Sequence, residues 1–231
     1  MRQETGTAKA NDYEFGLYNM TRLMENLDLK AYLGYSFQRY NFSRDVSFPA
    51  LPSAGYDAFF ERLDGKAHGS ALAASVELVR PIQWRRNIRL LPVAAGDFEK
   101  ARIDGYRESV GKTSLTYADA STTRVMLRFG MDGELNFQSG LYLEPRIQYA
   151  RQVNDEKSPS VNVWFSNSTA TDQRKANIAG AEIGRGYWNP GLSGGWKLDD
   201  SGNKTLYVNY DAKFYKRAAV HEGMAGLMIK W

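Results

Sequence analysis

The sequence predicts an all-β chain, a single antiparallel up-and-down sheet of about nine strands curved as the wall of a transmembrane β-barrel. Three observations predict it. Apolar residues recur at every second position along most of the chain, tight turns alternate with long polar segments, and the last strand ends on an aromatic residue. Period two sorts side chains onto the two faces of a strand, whereas helical spacing would mix them.

The first strand is expected over Tyr13 to Leu23, followed by a tight turn at Met24-Glu25-Asn26. The second places Leu27, Leu29, Ala31, Leu33, Tyr35 and Phe37 on one face, against Asp28, Lys30, Tyr32, Gly34, Ser36 and Gln38. After the polar segment Arg44 to Lys66 comes a weaker strand with Leu72, Ala74, Val76 and Leu78 on one face, Ser75 and Glu77 on the other. A turn at Trp84-Arg85-Arg86-Asn87 leads to a strand over Ile88 to Tyr106. Beyond the polar segment Glu108 to Ala120, Val125, Leu127, Phe129 and Met131 oppose Arg124, Met126, Arg128 and Asp132. The turn Asp132 to Gly140 precedes Leu141, Leu143, Pro145, Ile147 and Tyr149, opposite Tyr142, Glu144, Arg146 and Gln148. Within Asn154 to Gly180, Val161, Val163 and Phe165 could be a strand. Counting them as a membrane strand breaks the turn parity, so the segment is expected as one long loop. Ala181 to Leu198, Leu206 to Phe214 and Val220 to Trp231 complete the set.

Bulk composition agrees. Hydrophobic residues make up 43% and charged residues 24% of the 231, with a mean hydropathy of -0.50. No stretch reaches the roughly 20 apolar residues that a transmembrane helix needs. A barrel strand needs only alternate apolar residues, which hydropathy averaging does not register. Strand-favouring Tyr (14) and Phe (11) and turn-favouring Gly (21) outnumber Pro (7). With no cysteine there is no disulfide framework, thiolate zinc site or cysteine nucleophile. The 30 basic and 26 acidic residues are interspersed, and Arg85, Arg86 and Arg89 form the one compact basic cluster, so no nucleic-acid partner is expected.

Charged residues on the polar faces are the candidate site. Glu77, Arg124, Arg128, Glu144, Arg146, Asp211 and Lys213 would face a barrel lumen, where opposite charges pair and set the field. No catalytic pair stands out, and His68 and His221 have no ligand spacing, so no catalytic residue, metal or cofactor is expected. Trp84, Trp188, Trp196 and Trp231 are candidates for interfacial girdles or for ordinary packing. Gly184-Arg185-Gly186 lacks the third glycine and the helix of a dinucleotide loop. Leu227, Ile229 and Trp231 share a face of the last strand and are similar to the terminal signal that outer-membrane assembly machinery reads by strand pairing.

The ordered motifs together resemble the autotransporter β-domain, the translocator of type V secretion, from Tyr13 onward. Gly16-Leu17-Tyr18 precedes a tight turn and an alternating strand that ends in Arg44. Glu77 and Pro92 sit in the next two strands, then Arg124 to Gly130, then Glu144-Pro145. Gly184 to Gly186 leads into Gly191 to Trp196, and a Tyr-rich strand pair ends on Trp231. The resemblance implies a twelve-stranded barrel of which this chain holds the last nine strands. Residues 1–12 would be a linker or remnant of an upstream segment and 13–231 the partial barrel, with the N-terminal strands missing. The polar N-terminus, without an apolar signal stretch, is read the same way. The implied role is non-enzymatic export and surface display of an upstream passenger domain in the same parent chain. The implied place is the bacterial outer membrane, with its lipid and the barrel-assembly machinery as partners. Two other readings stay open: another outer-membrane barrel (a small channel or an adhesin) and a soluble all-β binding module.

Overall fold

The computed structural model describes residues 5–50, 52–137, 139–156, 159–167, 175–180, 182–198 and 203–229. Its strands are β1 (Thr5–Met24), β2 (Leu27–Phe48), β3 (Phe59–Val79), β4 (Ile82–Arg85), β5 (Ile88–Ile103), β6 (Tyr106–Arg107) and β7 (Leu115–Tyr117), followed by β8 (Ala120–Asn136), β9 (Leu141–Gln152), β10 (Ser160–Phe165), β11 (Ala176–Ala179), β12 (Gly186–Lys197), β13 (Lys204–Tyr215) and β14 (Ala219–Ile229). The main sheet runs β1-β2-β3-β5-β8-β9-β12-β13-β14, every neighbour antiparallel, with β4 hairpinned onto β5. These nine path strands are the nine that the alternation predicts. Among the described residues β1 pairs only with β2 and β14 only with β13, so the sheet is an open trough.

The strands are tilted. Directly opposite residues trace a row from Leu29 through Leu78, Ala94, Phe129, Tyr149 and Trp188 to Phe214. Leu29 lies two residues from the start of β2, but Phe214 lies ten from the start of β13. With both starts at the short-turn edge, the row climbs about 26 Å over about 29 Å of sheet width. That is a tilt of about 40°, inside the range barrel closure requires.

Curvature puts the polar side inside. Lys30 of β2 lines the same cavity as Asp132 of β8 and Glu144 and Arg146 of β9. In a flat sheet β2 would stand about 14 Å from β8 and about 19 Å from β9. Tyrosines lie over glycines on this concave face: Tyr142 opposite Gly195, Tyr207 opposite Gly226, and Tyr32 over the Gly16–Gly34 pair. A Cβ at Gly34 would strike the Tyr32 ring, so the ring packs there only because the position is glycine. The turn between β8 and β9 needs Gly140 at φ 77°, a left-handed conformation that costs other residues energy.

Burial is the reverse of a soluble protein's. On the convex face Leu33 is 51% and Phe129 57% exposed, while Gln148 on the concave face is 2% exposed. Ala212 also lies on the convex face but is covered, flanked by Tyr210 and Phe214 and opposite His221.

Strands outrun the expected boundaries on the long-loop side. Residues 5–12, expected as a linker, extend β1 and pair with 38–45. Much of Arg44 to Lys66, expected as a loop, continues β2 and β3. The physical reason is an inversion of the alternation. The outward face of β2 reads Leu33, Tyr35, Phe37 and then Arg39, Asn41, Ser43, Asp45, while the inward face turns aromatic at Tyr40 and Phe42. In β3 the outward face runs Arg62, Asp64, Lys66, His68, then Leu72, Ala74, Val76, Leu78. The ladder persists where the apolar wall stops. The long segments also carry a second sheet, ordered β11-β10-β7-β6. The Val161, Val163 and Phe165 stretch is therefore a strand, outside the main sheet's path, as the turn parity requires.

Candidate functional site: the charged concave face

Arg128 is the hub. Its guanidinium forks onto Asp97 (Nε to Oδ2 3.1 Å, Nη2 to Oδ1 3.2 Å), and its Nη1 donates to Glu77 at 3.1 Å and Gln148 at 2.7 Å. Glu77 also accepts from Lys30 Nζ at 3.0 Å. Gln148 Nε2 donates to Asp132 at 2.7 Å, and Arg146 stands between Asp132 (3.7 Å) and Asp211 (3.0 Å). Asn209 donates to Asp211 at 2.8 Å, and Ser193 to Asn209 at 2.6 Å. One continuous network thus crosses β2, β3, β5, β8, β9, β12 and β13. Side chains of Arg128 and Glu77 are 16% and 15% exposed. Hydrogen bonds to charged groups contribute about 1.5–3 kcal/mol each, and hydration of an open trough lowers that.

Of the residues singled out by sequence, Glu77, Arg128, Arg146 and Asp211 lie in this network. Lys213 meets Glu222 at 3.6 Å, and Arg124 lines the same concave cavity of about 420 Å³. Glu144 lines the separate cavity that holds Lys30 and Asp132. Sequence reasoning missed Lys30, Asp97, Asp132 and Gln148 as site members. Their parity placed three of them on the polar face, but nothing local marks which charges meet across strands. Asn189 Oδ1, which the sequence did not mark, is buried without a hydrogen-bond partner among the described residues, on a side chain lining the 420 Å³ cavity.

Other candidates fall elsewhere. His221 is on the convex face, its Nδ1 2.8 Å from the Tyr210 hydroxyl. His68 lies on β3 beyond the apolar wall. Trp84, Trp188 and Trp196 are more than half exposed, and Trp188 packs on Tyr149 at 5.1 Å. Leu227 and Ile229 project from the convex face of β14, 55% and 47% exposed. Trp231 lies outside the described residues.

On the long-loop side, Arg44 clamps Glu108 (3.0 and 2.7 Å), whose side chain is buried, and Leu115 N donates to the same carboxylate at 2.8 Å. Beside it, Phe42, Tyr106 and Tyr117 stack at 5.0 and 4.5 Å. Burial in this stack pushes the Tyr106 hydroxyl above the usual tyrosine range. Hydrogen bonds from the Thr113 hydroxyl and amide hold Glu61 below the usual carboxylate range.

The autotransporter beta-domain family matches residues 1–211. The chain belongs to this family. Its β-domain is an outer-membrane translocator and anchor, a non-enzymatic class of barrel that implies a linked passenger domain. Among solved structures, the translocator domain of autotransporter NalP from Neisseria meningitidis matches with TM-score 0.57 at 11% identity, over 98% of this chain and 81% of that one. At that identity the likeness shows the fold alone. No curated protein matches.

Proposed function

We propose that this autotransporter β-domain divides lipid from water across one sheet. Its convex wall contacts outer-membrane lipid, and its charged concave face borders the aqueous path through which the linked passenger travels. Glu77, Arg124, Arg128, Glu144, Arg146, Asp211 and Lys213 set the charge along that path. The barrel carries no catalysis. The observation that supports this reading best is the reversed burial: an exposed apolar exterior around a hydrogen-bonded polar interior, which only a lipid solvent stabilises.

The barrel-assembly machinery reads Leu227 and Ile229 of β14 together with Trp231. A charge facing lipid costs up to about 2–4 kcal/mol at mid-bilayer and less near the interface. A large insertion defect in Trp231→Asp therefore reports lost recognition. The test expresses the full-length parent with Trp231→Asp and measures heat-modifiable barrel in outer-membrane fractions and protease-accessible passenger on intact cells. Both should fall sharply. Wild-type levels of both would contradict the reading.

A further inference from the structure

The short-turn edge carries a hairpin that the translocator role leaves unused. β3 ends at Val79, opposite Val93, but β5 continues to Ile88 with β4 as its partner. Pro81 lies between β3 and β4, and having no N–H it cannot continue a ladder. Ile82 pairs with Leu90, so it projects on the convex side in line with the apolar wall, 43% exposed. Trp84, two residues on, is 62% exposed. The guanidinium of Arg85 lies 5.5 Å from the Trp84 ring centroid, and Arg86 occupies the turn.

The charge here is one-signed. From Val79 to Gly96 the chain has four arginines and no acidic residue. Arg89 pairs with Glu134 at 2.6 Å, whereas among the described residues Arg80, Arg85 and Arg86 are exposed with no ion pair. An indole beside an apolar wall sits well at headgroup depth, and a guanidinium fork matches a phosphate's geometry.

We infer that the β4–β5 hairpin is a binding site for an anionic phospholipid headgroup, with Trp84 at the glycerol level and Arg85 and Arg86 on the phosphate. The site would fasten the short-turn edge of the barrel to the phospholipid leaflet, at the turn where β5 runs furthest beyond β3. The inference rests on the convex wall's meeting lipid, and the test separates the two.

The full chain is reconstituted in vesicles of zwitterionic phospholipid carrying a minor fraction of brominated phosphatidylglycerol or, in parallel, brominated phosphatidylcholine. The Trp84 signal is the difference between wild type and Trp84→Phe. Two arginines at an anionic surface predict roughly tenfold preference of that signal for the brominated anionic lipid. Arg85→Gln with Arg86→Gln should abolish the preference and leave quenching of Trp188 and Trp196 by brominated phosphatidylcholine unchanged. Equal quenching by both lipids at Trp84, or a preference that survives the double substitution, would overturn the site while leaving the lipid-facing wall intact. No quenching of any tryptophan would overturn the wall and the site together.

Discussion

The two halves of β2 hold the same ladder with opposite face polarity. From Leu27 to Phe37 the outward residues are apolar and the inward ones polar; from Arg39 to Asp45 the outward residues are polar while the inward face carries Tyr40 and Phe42. Backbone pairing is continuous through the change, Tyr13 facing Phe37 and Asn11 facing Arg39. Strand formation and face polarity are thus separate properties. The ladder is set by neighbouring strands, and the polarity by what each face touches. In the lower half the apolar residues form the exposed outer wall. In the upper half they turn inward to make a small aromatic core with Tyr106 and Tyr117, clamped by Arg44 and Glu108.

The sharpest way to break this comparison is to place one charge on the same face of β2 at two heights. Leu33→Arg should cost about 2–4 kcal/mol of folded barrel in lipid vesicles, because it stands near mid-wall. Ser43→Arg, ten residues on and also outward, opposite Thr7 and Asp64, should change stability by no more than about 0.5 kcal/mol. Urea titration of the reconstituted chain measures both, and equal costs would erase the distinction between the halves.

A smaller effect is expected from the concave network. Arg128→Met leaves Asp97 without its cation and Glu77 with Lys30 alone, and should cost about 1–3 kcal/mol. Adding Asp97→Asn should recover part of it, since the carboxylate left without a cation is then gone while Glu77 keeps Lys30. No recovery would mean that Arg128 acts through packing rather than charge.

The upper core should respond to pH where the wall does not. The Tyr106 hydroxyl is raised above its ordinary value, first by burial and then by Tyr117, so folding favours its neutral form. Stability from this group is fully present below about pH 10, the unfolded tyrosine value, and is lost as pH rises beyond it toward the higher folded value. Near-ultraviolet circular dichroism of the stack should weaken above about pH 10 while heat-modifiability of the barrel persists. Tyr106→Ala should remove two ring contacts of about 0.5–1.5 kcal/mol each and abolish the transition.

The path of the main sheet was legible in the sequence because an apolar outer face and a polar inner face write a period-two pattern into each strand. What escaped follows the same physics. Strand ends were read too short in β1, β2 and β3 because the pattern inverts at Asn11, Arg39 and His68 while the strand goes on. For β10 the alternation of Val161, Val163 and Phe165 is legible and the turn parity keeps it out of the membrane wall, but its pairing with β7 and β11 is a long-range choice that no local pattern encodes. Within the site, parity put Lys30, Asp132 and Gln148 on the polar face. Their meeting through Arg128 and Glu77 depends on register across four strands and on curvature, which a single strand's sequence does not carry.

The most direct measurement is a single-cysteine spin-label scan along β2, possible because the 231-residue chain has no cysteine of its own. Labels at positions 27–46 of the reconstituted barrel would be tested for collision with oxygen, which partitions into lipid, and with a water-soluble nickel chelate. Odd positions from 27 to 37 should favour oxygen and even positions the chelate, and from 39 onward the odd positions should favour the chelate. An oxygen-accessible alternation running unbroken through 45, or chelate access at Leu29, Leu33 and Phe37, would contradict the account.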